Sequence, residues 1–137
     1  MDSLLYVYVP VITVAEVRSL FRLLQDLGFS VTHLGKNDPP KKWSGTSEEA
    51  EAVVLSGSDM TIWTFIRDAK RRLDVTVQIH RDPSWKHSTI SASAPEEEML
   101  RHLGTGLTTR INSFAGILGQ SGRGKDQPWN VLYLSDD

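Results

Sequence analysis

The chain has 137 residues, carries 15 Lys and Arg against 17 Asp and Glu, and contains no cysteine. This length is typical of one domain with its own hydrophobic core, so we expect residues 1–137 to form a single domain. The composition excludes a disulfide scaffold, a thiolate metal site and a cysteine nucleophile, and a net charge of −2 gives no general attraction to nucleic acid or to an anionic membrane.

Apolar and β-branched residues from Leu4 to Val9 predict a buried first strand. The apolar run that contains this strand is too short to span a bilayer. It follows Asp2, whereas a secretory signal begins with positive charge. We therefore expect a cytoplasmic protein that does not interact with membranes.

Two helix starts are marked by capping boxes, in which a Thr is followed three residues later by a Glu. Thr13 and Glu16 begin the first helix, whose apolar residues recur on one face until Gly28 ends it. Thr46 and Glu49 begin a second, shorter helix. The first of these is the more strongly amphipathic, and we expect it to cover part of the sheet.

The middle of the chain predicts strands of two kinds. Residues 30–34 form a short strand, and a loop rich in Gly and Pro follows at 35–45. Residues 60–66 are apolar in both alternating sets, which predicts a central strand covered on both faces. A charged turn is expected at 68–72.

The segments 73–81 and 87–94 alternate between apolar and polar residues, as expected of the two strands of a hairpin. A four-residue loop at 82–85 would pair Arg81 with Lys86 and place His80 directly opposite His87. Apolar residues then face apolar residues along the whole pair, and such matches set the register of a hairpin.

The last third of the chain predicts a long helix, a loop and a final strand. The helix begins near Pro95, and its expected buried stripe extends as far as Leu118. Residues 119–127 form a flexible loop and 129–134 the last strand. The resulting order, β-α-β-α-β-β-β-α-β, predicts an α+β domain with a mixed, mostly antiparallel sheet and two main helices packed on one face.

Residues 119–125 fit Gly-x4-Gly-Lys, the skeleton of a phosphate-binding loop. Asp126 stands where such a loop carries a Ser or Thr that binds magnesium, and Pro128 opposes a following helix. The segment also follows a predicted helix instead of a strand. We interpret it as a mobile, mildly basic loop.

No motif predicts catalysis or a bound cofactor. The pair of His80 and His87 would offer two metal ligands, but no pattern supplies a third, so we predict a polar hairpin end without metal. The acidic runs lie at helix starts, where they complement the helix dipole, and do not form a pair in contrasting environments. The basic residues of 67–72 lie beside acids, as in a solvated turn, and we expect no nucleic-acid partner.

Three tryptophans occur at loops or strand starts, and Trp is the residue most often found as an energetic anchor in protein interfaces. Each either folds back over the edge of the core or is exposed as an anchor, and we expect at least one exposed anchor. The polar face of the predicted hairpin is either solvated or a flat docking surface. The predicted partner-binding residues are Trp43, Trp85, Trp129, Lys86, His80, His87, Glu48, Glu49 and Glu51.

These features favour a non-enzymatic module that occludes a protein partner. In size, slight acidity, lack of cysteine and α+β pattern the chain is similar to many bacterial immunity proteins, which neutralise a cognate secreted toxin, although no motif carries this similarity. The acidic segment Glu48–Glu51 would then face a basic toxin cleft. The alternative is a small enzyme or small-molecule-binding domain with its pocket between sheet and helices and residues 119–127 as a lid.

Overall fold

The computed structural model of the chain describes residues 2–37, 39–56, 63–70, 74–81, 88–111, 113, 115–120 and 130–134; of 63, 120 and 130–134 it describes the backbone alone. Three helices lie within these ranges: α1 Val14–Asp26, α2 Ser47–Ser56 and α3 Glu97–Arg110. The strands are β1 Ser3–Val9, β2 His33–Gly35, β3 Lys41–Lys42, β4 Trp63–Asp68, β5 Val75–His80, β6 Ser88–Ala94, β7 Ala115–Gln120 and β8 Asn130–Leu134.

The strands form one eight-stranded sheet in the order β3-β2-β4-β5-β6-β1-β7-β8. Each pairing between these strands is antiparallel. Because β6 and β7 both run antiparallel to β1, they are parallel to each other, and α3 connects them across it. In the same way α2 connects β3 and β4 on either side of β2. The predicted α+β fold with a mostly antiparallel sheet is confirmed.

The core lies between one face of the sheet and the helices. Buried and half-buried residues alternate along β1, β5 and β6, so one face of each strand points into the core. The helix α3 packs across β1, β6 and β7, and α1 packs against α3 and α2. Leu20 and Leu24 of α1 and Leu103 and Leu107 of α3 are almost completely buried in this core.

A close approach between α1 and α3 explains why Gly106 stands within helix α3. A Cβ atom added to Gly106 would lie 2.7 Å from Leu23 Cδ1, closer than carbon atoms approach in proteins. The absence of a side chain at this position therefore allows the two helices to pack directly. The helix-propensity cost of glycine, about 1 kcal/mol relative to alanine, accompanies that contact.

The capping boxes are confirmed. The Thr13 backbone N–H donates to Glu16 Oε1 at 3.0 Å, and the Thr46 backbone N–H donates to Glu49 Oε1 at 3.2 Å. At the other end of α1, Gly28 has φ +82°, the left-handed conformation that favours glycine after a helix.

The prediction of a helical stripe as far as Leu118 is wrong. The helix α3 ends at Arg110, and residues 115–120 form β7, in which Leu118 lies opposite Leu5 of β1. Residues 114 and 118 are four apart, a spacing that keeps side chains on one face in a helix and in a strand alike. The apolar pattern alone could not separate the two. The two-residue strand β3 was also missed, because it falls in the loop predicted at 35–45.

The prediction that β4 is covered on both faces is wrong as well. Thr64 and Ile66 are buried, whereas Phe65 is half-buried and lies on the face away from the helices. Asp68, expected in a charged turn, is the last residue of the strand and is completely buried. Its carboxylate accepts hydrogen bonds from the backbone N–H groups of Ser30 at 2.7 Å and Lys70 at 3.0 Å.

The predicted register of the β5–β6 hairpin is wrong by two residues. His80 lies opposite Thr89, and Val77 opposite Ala92. A shift of two residues keeps every side chain on its own face, so the apolar matches that guided the prediction are preserved. His80 therefore has Thr89 as its cross-strand partner where the prediction had His87, and His87 itself lies outside the described residues.

Candidate functional site: the open face of the sheet

The face of the sheet that points away from the helices is lined by half-buried side chains from five adjacent strands. The registers place three rows of residues across it. The central row, from β7 to β4, is Ile117, Tyr6, Ser91, Gln78 and Phe65. We call the surface formed by the outward-facing residues of β4, β5, β6, β1 and β7 the open face.

Two tyrosines of β1 form an aromatic ridge on the open face. Tyr6 and Tyr8 are two residues apart, so they lie on the same side of the strand. Their ring centroids are 6.5 Å apart and their planes differ by 20°, a stacked arrangement. Such a pair combines a rigid apolar surface with a polar hydroxyl at the tip of each ring.

A shallow groove lies between this ridge and Phe65 of β4. It has a volume of about 110 Å³ and is lined by short polar residues of β5 and β6, with Tyr6 and Leu4 on one side and Phe65 on the other. Two strands separate β1 from β4, so the walls are about 14 Å apart at the backbone, three strand spacings. The groove therefore has apolar walls and a floor of hydroxyl and amide groups.

The open face carries little charge. Arg67 is the only Asp, Glu, Lys or Arg among the described side chains of this face. The Arg67 guanidinium donates to Asp74 Oδ1 through Nε at 2.9 Å and through Nη2 at 2.7 Å. A surface with one compensated cation has no electrostatic preference for a polyanion.

Strand β5 ends at His80, which lies on the open face, and Arg81 follows it on the side of the sheet that faces the helices. His80 belongs to the row that also contains Tyr8 and Thr89. Arg81 Nη2 is 3.5 Å from Thr64 Oγ1, and burial of the guanidinium lowers the pKa of Arg81. Arginine still keeps its proton in proteins, so Arg81 is a fixed positive charge beside the buried Thr64 and does not line the groove.

Neither edge of the sheet is well suited to receive a further strand. Among the described strands the edges are β3 and β8. The first is two residues long and consists of Lys41 and Lys42. The second contains a β-bulge, because its register with β7 shifts between Gly116 and Ile117. Short edges, lysines and bulges are devices that prevent strand addition, so the face offers the better docking surface.

Of the three loop tryptophans, Trp43 is described, and it contacts its own chain. Its indole Nε1–H donates to the Thr46 carbonyl at 2.9 Å, and its ring packs partly against the core. Gly45 lies directly beneath the ring, since a Cβ atom there would be 3.0 Å from Trp43 Cζ2. Trp85, Lys86, His87 and Trp129 lie outside the described residues, so their role in binding stays a prediction.

The acidic residues of α2 differ in what they contact. Glu49 accepts hydrogen bonds from both the backbone N–H and the hydroxyl of Thr46, and the Thr46 hydroxyl accepts one from the Glu49 N–H at 3.1 Å. Glu48 and Glu51 instead line a cleft of about 490 Å³ beside α1. The sequence predicted a pocket between sheet and helices, whereas this cleft lies between two helices.

The structure changes the context of the phosphate-loop skeleton. Gly119, its first residue, lies in strand β7 opposite Leu4, so the expectation that a helix precedes the segment is wrong. A phosphate-binding loop leads from a strand into a helix. Here the next described element is β8, which returns antiparallel to β7, so the described elements lack the helix that such a loop needs.

The aromatic walls of the groove are the part of this site that sequence reasoning missed. It assigned β1 and β4 to the buried interior and left only the polar hairpin as a candidate surface. The signal was present in β1, where Tyr6 and Tyr8 alternate with Leu5, Val7 and Val9. Phenol rings at every second position of an otherwise aliphatic strand indicate that one face reaches solvent.

Comparison with known proteins adds no assignment: no protein family, curated protein or solved structure matches the chain. In the part of the chain that the structure describes, no three His, Asp or Glu side chains cluster closely enough to hold a metal ion. Within the same residues no helix combines the length and apolar character required to cross a membrane.

Proposed function

We propose that this domain is a non-enzymatic protein-binding module that docks a protein partner on the open face of its sheet. The observation that carries the proposal is the groove between the Tyr6–Tyr8 ridge and Phe65, exposed on a rigid sheet whose other face packs on the helices. Aromatic side chains with a polar tip are enriched at protein interfaces because they provide large contact areas at low entropic cost.

The chemistry of the groove favours a protein partner over a nucleic acid. Its floor offers hydroxyl and amide groups from Thr76, Gln78, Ser91 and Ser93, which donate and accept hydrogen bonds. Aromatic residues on an open sheet also stack on nucleic-acid bases, but that mode needs cations along the phosphate backbone. Among the described side chains of the open face Arg67 is the only Lys or Arg, and its charge is neutralised by the ion pair with Asp74.

The chain segment that joins the two strands of the groove floor carries several predicted partner-binding residues. Residues 82–87 connect β5 to β6, the two strands of the floor, and they include Trp85 and Lys86. The specific form of the proposal is an immunity protein that occludes a cognate toxin, in the cytoplasm as the sequence predicts. Fractionation of cells carrying a tagged copy tests that location.

Affinity capture from cells of the source organism tests the proposal. Tagged wild-type protein is compared with the Tyr6→Ala/Phe65→Ala double variant, which removes both walls, and with a Thr105→Glu variant, which alters the exposed surface of α3 on the opposite side. We expect one stoichiometric protein partner that Thr105→Glu retains and the double variant loses. A folded double variant that retains the partner at wild-type level would contradict the proposal.

A further inference from the structure

The cleft between α1 and α2 has the size of a small-molecule site. Its volume is about 490 Å³, within the range of roughly 300–1,000 Å³ that is typical of ligand pockets. The two helices pack against each other, and Phe29 and Val31, which precede β2, complete the cleft. The space is much larger than a single ion or water molecule requires.

The floor of the cleft is apolar, and its residues pack into the hydrophobic core. Phe21 and Leu24 of α1, together with Phe29 and Val31, are all at least nine-tenths buried. Val31 is also linked to α2, because its backbone N–H donates to Ser47 Oγ at 3.4 Å. A ligand in this cleft would place an apolar body on a preformed surface.

The two rims of the cleft carry opposite charges. Arg18, Arg22 and Gln25 are spaced i, i+4 and i+7 on α1, so they form one stripe along the helix. Glu48 and Glu51 are spaced i and i+3 on α2 and form the facing stripe. Both stripes line the same cleft.

These charges do not neutralise each other across the cleft. Within the described residues, no salt bridge joins Arg18 or Arg22 to any carboxylate. In contrast, three other arginines form salt bridges: Arg67 with Asp74, Arg101 with Glu97 and Arg110 with Asp26. Arginines of this domain thus pair with acids that are within reach, and the cleft keeps its two rims apart.

We infer that the cleft binds a small amphipathic zwitterion with the chemistry of a short peptide that has free ends. Its carboxylate would accept hydrogen bonds from Arg18 and Arg22, since guanidinium groups bind carboxylates in a bidentate manner. Its ammonium group would lie against Glu48 and Glu51, and its apolar side chains on the phenylalanine floor. This site is separate from the open face and uses none of the same residues.

Calorimetric titration with dipeptides of Leu, Phe, Val and Ile, each with free ends and titrated singly up to about 1 mM, tests the inference; that limit corresponds to a binding free energy of about −4 kcal/mol. For a dipeptide that binds, the N-acetylated and the C-amidated forms are measured next. We expect each cap to weaken binding by more than about tenfold, because each removes one charge-assisted interaction.

Charge variants then assign each end of the ligand. In Arg18→Gln/Arg22→Gln the free and the C-amidated dipeptide should bind equally, and in Glu48→Gln/Glu51→Gln the free and the N-acetylated dipeptide should bind equally. Lys41→Gln/Lys42→Gln, which removes exposed cations at the sheet edge, should leave both differences unchanged. Circular dichroism and thermal unfolding verify that each variant is folded.

Three results would overturn the inference. The first is that no dipeptide of the set binds. The second is binding that does not respond to capping of either end. The third is binding that both pairs of cleft variants leave at the wild-type level. If the two double variants lower the unfolding temperature while the wild type binds no dipeptide, the rims serve to hold α1 and α2 together.

Discussion

Replacement of Asp68 by Ala should destabilise the domain more than any change to its surface charges. Asp68 is completely buried at the end of β4. Its two carboxylate oxygens accept hydrogen bonds from the backbone N–H groups of Ser30 and Lys70 at 2.7 Å and 3.0 Å. The bond from Ser30 ties the chain that leaves α1 to the end of β4, 38 residues away in sequence, and the bond from Lys70 holds the turn that follows.

The magnitude follows from the surroundings of the two donors. A hydrogen bond to a charged group contributes about 1.5–3 kcal/mol. Lys70 is exposed, so a water molecule can replace the carboxylate as acceptor for its backbone N–H. Ser30 is half-buried, so its backbone N–H would be left without an acceptor. We expect Asp68→Ala to lower the free energy of unfolding by about 2–4 kcal/mol and the unfolding temperature by about 10 °C. Asp68→Asn keeps the shape and one acceptor, and should cost about half as much.

Chemical denaturation with urea, monitored by circular dichroism, measures these differences. Asp74→Asn is the matched control, because it removes the same charge from the same part of the sheet. The Arg67–Asp74 pair has side-chain exposures of 31% and 41%, and such pairs contribute less than about 1 kcal/mol. Asparagine also tolerates the positive φ of 28° at this position. A free energy of unfolding of Asp68→Asn within about 0.5 kcal/mol of wild type, or a larger loss in Asp74→Asn, would contradict this role of Asp68.

Three further predictions concern packing, capping and salt. Gly106→Ala should lower the unfolding free energy by about 1 kcal/mol or more despite the better helix propensity of alanine, and the loss should shrink in a Leu23→Ala background, as a double-mutant cycle by urea denaturation will show. Glu49→Ala should cost about 1 kcal/mol because it removes the capping box of α2, whereas Glu48→Ala, one residue away, should stay within about 0.5 kcal/mol in the same assay. The partner's dissociation constant should change less than about threefold between 50 and 200 mM salt, whereas a ligand held by several phosphate contacts would lose about three orders of magnitude.

Local signals in the sequence predicted the helix starts well. The capping boxes at Thr13 and Thr46 need only residues three apart, and Gly28 needs only the end of an apolar stripe. Period-two alternation likewise predicted β5 and β6 with the correct faces. These features depend on neighbouring residues, so they can be recognised without knowledge of the fold.

Features that depend on distant residues were predicted less well. The apolar run of β4 gave no indication that Phe65 reaches solvent, because that depends on which side the helices cover. The groove itself combines β1 and β4, which are far apart in sequence and are separated by two strands in the sheet. The order of strands in an antiparallel sheet is set by long-range pairing, and a single sequence does not encode it in any local pattern.

The same limit applies to the two candidate sites. Acidic residues of α2 were predicted to bind a partner as one group, although the sequence also predicted the capping role of Glu49. In the structure Glu49 forms that capping box, whereas Glu48 and Glu51 line a cleft. Their separate roles became visible because the structure places Arg18 and Arg22 of α1 on the other rim. The spacing of Arg18 and Arg22 on one face of α1 can be recognised in the sequence. The sequence does not show that Glu48 and Glu51 lie across a cleft from them.

Docking on the open face is tested by the dissociation constant of the captured partner for a Ser91→Glu variant. Ser91 lies on the floor of the groove, directly opposite Tyr6 on one side and Gln78 on the other. We expect the buried carboxylate to weaken binding by more than about thirtyfold, which corresponds to about 2 kcal/mol. Thr105→Glu, the control on α3, should bind like wild type. A Ser91→Glu protein that is folded and binds its partner with wild-type affinity would contradict docking on the open face.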